Sequence, residues 1–171
     1  RKRFSLNETY ASRLHYFKNI GSAAQPAFDL ADTNLLNSPS LQWLNISPAL
    51  GDLDSDGDCD LIVGDLDGNL HRFTNTTQAG SISFEQQTTP ITDSAGEVID
   101  VGQSATPQIF DVDADGKNDL LVGCLNGSVV YYRNIGSAQI PNFEWQTAAA
   151  VATTASPVEP HTCSREGSVG L

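Results

Sequence analysis

Residues Asp52 to Asp60 read DLDSDGDCD, and the same design returns as DVDADGKND from Asp111 to Asp119. Both stretches place carboxylates at positions 1, 3, 5 and 9 and a glycine at position 6. Side chains at that spacing converge on one point only if the backbone curls tightly round it, and Gly57 and Gly116 permit the sharp reversal. Two unneutralised carboxylates a few Å apart repel by roughly 4 kcal/mol at an effective dielectric near 20, so the convergence calls for a hard cation. An all-oxygen donor set suits calcium, which accepts six to eight oxygens in a forgiving geometry, whereas magnesium demands a near-ideal octahedron and keeps its waters. The competing reading is a solvated acidic turn, against which two in-register copies argue.

The residues after each loop exclude an EF-hand. Position 12 should then be a bidentate Glu, but it is Val63 or Val122 inside the apolar runs LIVGD and LLVGC, which read as buried strands. Asp67-Gly68 and Asn126-Gly127 come next, and as hairpin signals they predict type I′ turns with positive φ at both central residues. A third strand, HRFTN or VYYRN, alternates packed and polar positions, and a fourth begins near Phe28, Phe84 or Phe143. These second halves occur three times, as LHYFKNIGSAAQPAF (14–28), LHRFTNTTQAGSISF (70–84) and VVYYRNIGSAQIPNF (129–143). The first strands are SPALGDLD and TPQIFDVD, each ending in an acidic loop. Four strands per unit at a period of roughly 60 residues fit an all-β chain of four-stranded antiparallel blades of the β-propeller type, incomplete within this chain.

A DxDxDG loop running from one strand into an apolar second strand resembles the FG-GAP or VCBS repeat, the blade unit of integrin-α-like propellers, over about residues 14 to 145. The resemblance implies calcium in both loops. Its first ligand set is the side chains of Asp52, Asp54, Asp56 and Asp60 with the carbonyl of Asp58; its second is Asp111, Asp113, Asp115 and Asp119 with the carbonyl of Lys117. Spacing supports the assignment independently: a cationic side chain at position 7 is tolerable where that position contributes its main chain and points its side chain to water. The organisation expected is a lead-in at 1–13, the outer part of a first blade with its connecting loop at 14–47, calcium-loop blades at 48–106 and 107–146, and an irregular tail or degenerate strand at 147–171. Within the tail, Ala148–Thr154 is of low complexity, and Ser156–Gly167 stands where a first strand is due but lacks the acidic ligands. The Ser-, Thr- and Asn-rich connectors 30–47 and 86–105 are candidates for a partner surface.

The 171 residues carry a formal charge of −12, which argues against nucleic acid and anionic membrane surfaces as partners. No apolar run approaches the roughly 18 residues of a helical span, and Arg1-Lys2-Arg3 leads into no apolar signal core. The chain is thus read as starting after any export signal or within a longer protein. Three cysteines, Cys59, Cys124 and Cys163, offer no paired framework. His15 and His71 share a repeat position with Val130, so they are read as a packed face rather than as ligands, and Trp43 and Trp145 are read as core or interblade packing. Asn7, Asn45, Asn75 and Asn126 begin sequons that matter only in a eukaryotic secretory route.

Nucleophile elbow, HExxH, Walker and Cys-His signatures are absent, and the loop carboxylates are committed to metal, so the chain is read as non-enzymatic. The resemblance implies an extracellular or cell-surface segment, with structural calcium, that binds a protein or glycan in adhesion. The alternatives are an accessory module of a secreted hydrolase or lyase and a subunit of a self-assembling surface filament. In either case neighbouring repeats or other copies of the chain would complete the blades.

Overall fold

The apolar runs behind the two acidic loops form the inner strands of two sheets. The computed structural model describes residues 12–36, 43–78, 82–137 and 139–146. Among them are ten strands and no helix, hence no helix long and apolar enough to cross a membrane. Residues 1–11 of the expected lead-in at 1–13, and the tail at 147–171 with its low-complexity patch and degenerate strand, lie outside the described residues. The chain divides into two units, residues 1–45 and 46–171.

In the first unit, β1 (Tyr16–Asn19) and β2 (Phe28–Asp32) form an antiparallel hairpin. Its connection is held by Asn19, whose Oδ1 accepts the N–H groups of Gly21 and Ala27 at 3.0 Å each. The second unit holds two antiparallel meanders. One runs β3 (Ser47–Gly51), β4 (Asp60–Gly64), β5 (Leu70–Asn75), β6 (Phe84–Gln86), and the other β7 (Thr106–Phe110), β8 (Asp119–Gly123), β9 (Val129–Asn134), β10 (Phe143–Gln146). The acidic loops are the β3–β4 and β7–β8 connections. The fold is therefore all-β with four-stranded antiparallel sheets in a repeating order, and among the described residues no sheet closes into a barrel.

Strand periodicity decides how the two meanders pack. Side chains alternate faces, so the core takes Ile62 from β4 but Leu120 and Val122 from β8, which sit on the opposite face in repeat terms. Two like sheets thus stack front to back, with Leu70, Tyr132 and Phe143 filling the same core. The approach is close at Gly64, where an added Cβ would run into the Ala105 carbonyl, 2.7 Å from its carbon, and at Gly51, where it would meet the Ile109 side chain.

Four expectations change here. The connector 86–105 is not a free loop: Ile91, Ile99 and Ala105 are buried in the core, and Asp93 and Ser94 bridge to Phe143. Its apolar residues are too few to mark a strand in sequence but suffice to anchor it. The Asp67-Gly68 and Asn126-Gly127 turns are not type I′. Asp65 N–H donates to Asn69 O and Gly68 N–H to Asp65 O, giving a three-residue loop in which only the glycine takes positive φ, and Cys124 to Ser128 repeats it. Trp145 is 57% exposed on the edge strand β10 and so is not core; Phe143, two residues earlier, occupies the buried place on that face. Finally, Cys59 is disulfide-bonded while Cys124 is a free thiol, a pairing that an odd cysteine count does not reveal.

Candidate metal centres

Each acidic loop is curled by two residues in left-handed conformation, Ser55 and Gly57 in one (φ 56° and 96°) and Ala114 and Gly116 in the other (φ 60° and 85°). Glycine tolerates this readily, whereas Ser55 and Ala114 do so at a steric cost of about 1–2 kcal/mol. Backbone amides then lock the carboxylates. Gly57 N–H donates to Asp52 Oδ2 at 3.1 Å and Gly116 N–H to Asp111 Oδ2 at 2.8 Å; Asp58 and Lys117 N–H donate to Asp56 and Asp115 Oδ1. Leu53, at position 2, is buried in the core and pins the first loop to its sheet.

The result is two groups of three carboxylates, Asp52, Asp54, Asp56 and Asp111, Asp113, Asp115, each offering oxygens within 4.8 Å of one another. Either group is close enough to hold a metal ion. In the first, the buried Oδ1 atoms of Asp52 and Asp54 have no hydrogen-bond partner among the described residues. Buried acceptors left unmatched are costly, and a cation is the partner that satisfies several at once. Burial, then the charges of Asp60 and Asp56, hold the Asp54 carboxyl above its usual range against the pull of Arg72.

Asp60 and Asp119, at position 9, stand outside these groups and close the loops onto strand three. Asp60 Oδ1 accepts Asn75 N–H at 2.9 Å and its Oδ2 accepts Arg72; Asp119 Oδ1 accepts Asn134 N–H at 2.7 Å and its Oδ2 accepts Tyr131 Oη–H and Val112 N–H. Burial raises both carboxyls, and hydrogen bonds to the strand-three amides oppose it. The same asparagines reach position 8: Asn75 Nδ2 donates to Cys59 O and Asn134 Nδ2 to Asn118 O. Asn118 in turn donates to the Asp52 carbonyl at 2.7 Å, tying the second loop to the first.

The second loop is met by cations. Arg133 pairs with Asp113 and Asp115, and Lys117 Nζ lies 3.1 Å from Asp115 Oδ2 and also donates to Gly136 O. Lys117 therefore does not simply point to water: clustered carboxylates draw the ammonium back over the loop. Burial works to raise the Asp115 carboxyl, but the hydrogen bonds and charge of Lys117, with Arg133, bring it below the usual range. Asp58, at the matching position 7, is exposed.

Neither predicted histidine belongs to a packed face. His15 is exposed, and His71 Nε2 lies 2.9 Å from buried Asp65 Oδ2, whose Oδ1 accepts Asn69 N–H at 2.9 Å. Valine at the third repeat position concealed this pair, because Val130 faces no carboxylate there.

Against known proteins the chain matches no family model, no curated protein and no solved structure. The functional reading of the loops therefore stands on their own geometry.

Asp65 gives a direct test of that geometry. Burial raises its carboxyl, yet the hydrogen bonds from His71 and Asn69 outweigh this and lower it. A lowered carboxyl stabilises the fold above its unfolded value and loses that contribution as pH falls through the folded one. Asp65→Ala is expected to cost about 2 kcal/mol in urea unfolding at neutral pH, since it strands charge-assisted donors. The difference from the parent chain should shrink in acid below the usual carboxylate range; a loss that stayed constant into strong acid would contradict the pairing.

Proposed function

We propose that the chain is a repeat segment of FG-GAP or VCBS type that binds two calcium ions and acts outside the cell in adhesion, through a protein or glycan partner. The observation that carries this reading is the duplicated aspartate triad, held in the same curl at the same place in two successive sheets. Calcium, with its tolerant coordination geometry, fits a cluster of carboxylate oxygens better than magnesium does. In this reading the carbonyls at Asp58 and Lys117 add to the shell, while Asp60 and Asp119, whose oxygens accept hydrogen bonds from strand three, brace each loop rather than serve as ready ligands. The role of the ions is structural: they neutralise the loops that join β3 to β4 and β7 to β8. A disulfide at Cys59 supports an oxidising compartment, as does a metal loop of the kind tuned to extracellular calcium.

Calorimetric titration with calcium tests the reading. The parent chain should take up two ions, and Asp54→Ala and Asp113→Ala should each lose one and keep the other. No uptake by the parent, or two ions still counted in either variant, would remove the assignment.

A further inference from the structure

A small cavity of about 180 Å³ lies beside the first acidic loop, between β5, the connector that follows β6 and the turn that leads into β10. Buried Leu53, Ile91 and Phe143 form its floor, and exposed Thr89, Pro90 and Thr92 stand at its rim. An apolar cavity of about 150 Å³ takes a benzene molecule, so this one has room for a single six-membered ring and not for a folded peptide element.

The polar groups that line the cavity are unevenly used. Arg72 reaches Asp60 Oδ2 at 3.1 Å and Asp54 Oδ2 at 3.7 Å through one atom, Nη2. Its Nε is buried and has no acceptor among the described residues. A buried donor without an acceptor is costly, and the planar guanidinium fork matches a carboxylate. Gln87 gives its side-chain N–H to Thr74 Oγ1 at 3.1 Å, which leaves its amide oxygen to accept. The hydroxyls of Thr89 and Thr92 add donors and acceptors at the rim. One guanidinium, one amide and two hydroxyls thus surround a space of ring size with an apolar floor.

We propose that this cavity binds a hexuronate, a six-membered sugar ring bearing a carboxylate. The carboxylate answers the unused edge of the Arg72 guanidinium, and the ring hydroxyls exchange hydrogen bonds with Gln87, Thr89 and Thr92. Asp54 and Asp60 hold the guanidinium from its Nη2 side and so orient it before the ligand arrives. The chain's charge of −12 opposes an anion only at long range, where salt screens it beyond roughly 8 Å, so the local fork decides. The inference rests on the reading of the chain as a segment that binds a protein or glycan, and it narrows that partner to an acidic sugar. It requires no ion in the loop.

The test is an NMR titration of the whole nitrogen-15-labelled chain with D-glucuronate, in calcium and separately in chelator. Saturable shifts of the Arg72 Nε–H and of the Gln87, Ile91 and Thr92 amides in either buffer are expected. D-glucose lacks the carboxylate and leaves the protein untouched, and it should bind roughly tenfold more weakly or worse, as the loss of a charge-assisted hydrogen bond demands. Arg72→Lys keeps a charge facing Asp60 but removes the fork, and should weaken glucuronate binding comparably. Thr89→Val alters only the rim, and its several-fold loss keeps the site testable should the arginine variant fail to fold. Ion uptake is counted by calorimetry on the same samples. Glucuronate binding without ion uptake supports the site and removes the calcium reading; ion uptake without glucuronate binding does the reverse. Glucose bound as tightly as glucuronate, or shifts that avoid Arg72, overturns the proposal. Acetate bound as tightly as glucuronate overturns it as well, by assigning the cavity to peptide carboxylates.

Discussion

Chelating divalent cations is expected to lower the melting temperature of the chain by roughly 10–20 °C. At one hundred times its dissociation constant each ion contributes about 2.7 kcal/mol when the unfolded chain does not bind it, so two sites contribute roughly 5 kcal/mol. For a chain of this size 1 kcal/mol moves the midpoint by about 2–4 °C. The loss falls mainly on the first loop. Its Asp52 and Asp54 bury oxygens without hydrogen bonds, and Arg72 is its only paired cation among the described residues, whereas the second loop has both Arg133 and Lys117. Asp54→Ala should therefore remove more of the calcium-dependent shift than Asp113→Ala. Scanning calorimetry in millimolar calcium and in excess chelator reads the effect, and superimposable melts would sink the calcium reading.

Gly64→Ala should destabilise the chain by about 3 kcal/mol, the upper part of the range for overpacking a well-packed interior. An added methyl would run into the Ala105 carbonyl oxygen and lie 2.7 Å from its carbon, and backbone there cannot swing aside, so the sheets must separate. Gly123 closes the equivalent strand of the next sheet and makes the comparison informative. Its added Cβ would meet Thr106 Oγ1 at 2.5 Å, the movable end of a side chain, with backbone no nearer than 3.8 Å. Gly123→Ala should cost about 1 kcal/mol, within the range of a single overpacked methyl. Urea unfolding of the two variants decides the matter; equal losses would show that the stacking does not bear on Gly64 as described.

That contrast marks the division between what the sequence carries and what it does not. The run of Asp at alternate positions with Gly57 or Gly116 sets a curl within nine residues, and the apolar runs after it set buried strands, so both aspartate triads and the antiparallel order of strands were legible in the chain itself. These are local facts, fixed by backbone sterics and a period of two. LIVG and LLVG, by contrast, read alike, yet only Gly64 faces a neighbouring backbone. The ninth-position aspartates look like further ligands in the sequence, and only the register of strand three places Asn75, Arg72, Asn134 and Tyr131 on them. Asp65 with His71, the buried connector through Ile91 and Ile99, and the exposure of Trp145 likewise depend on which surfaces meet. Such contacts join residues far apart in the chain or on different sheets, and stacking one sheet's face on the opposite face of the next selects among them. A linear pattern records which side of a strand is apolar; tertiary packing alone determines what lies against it.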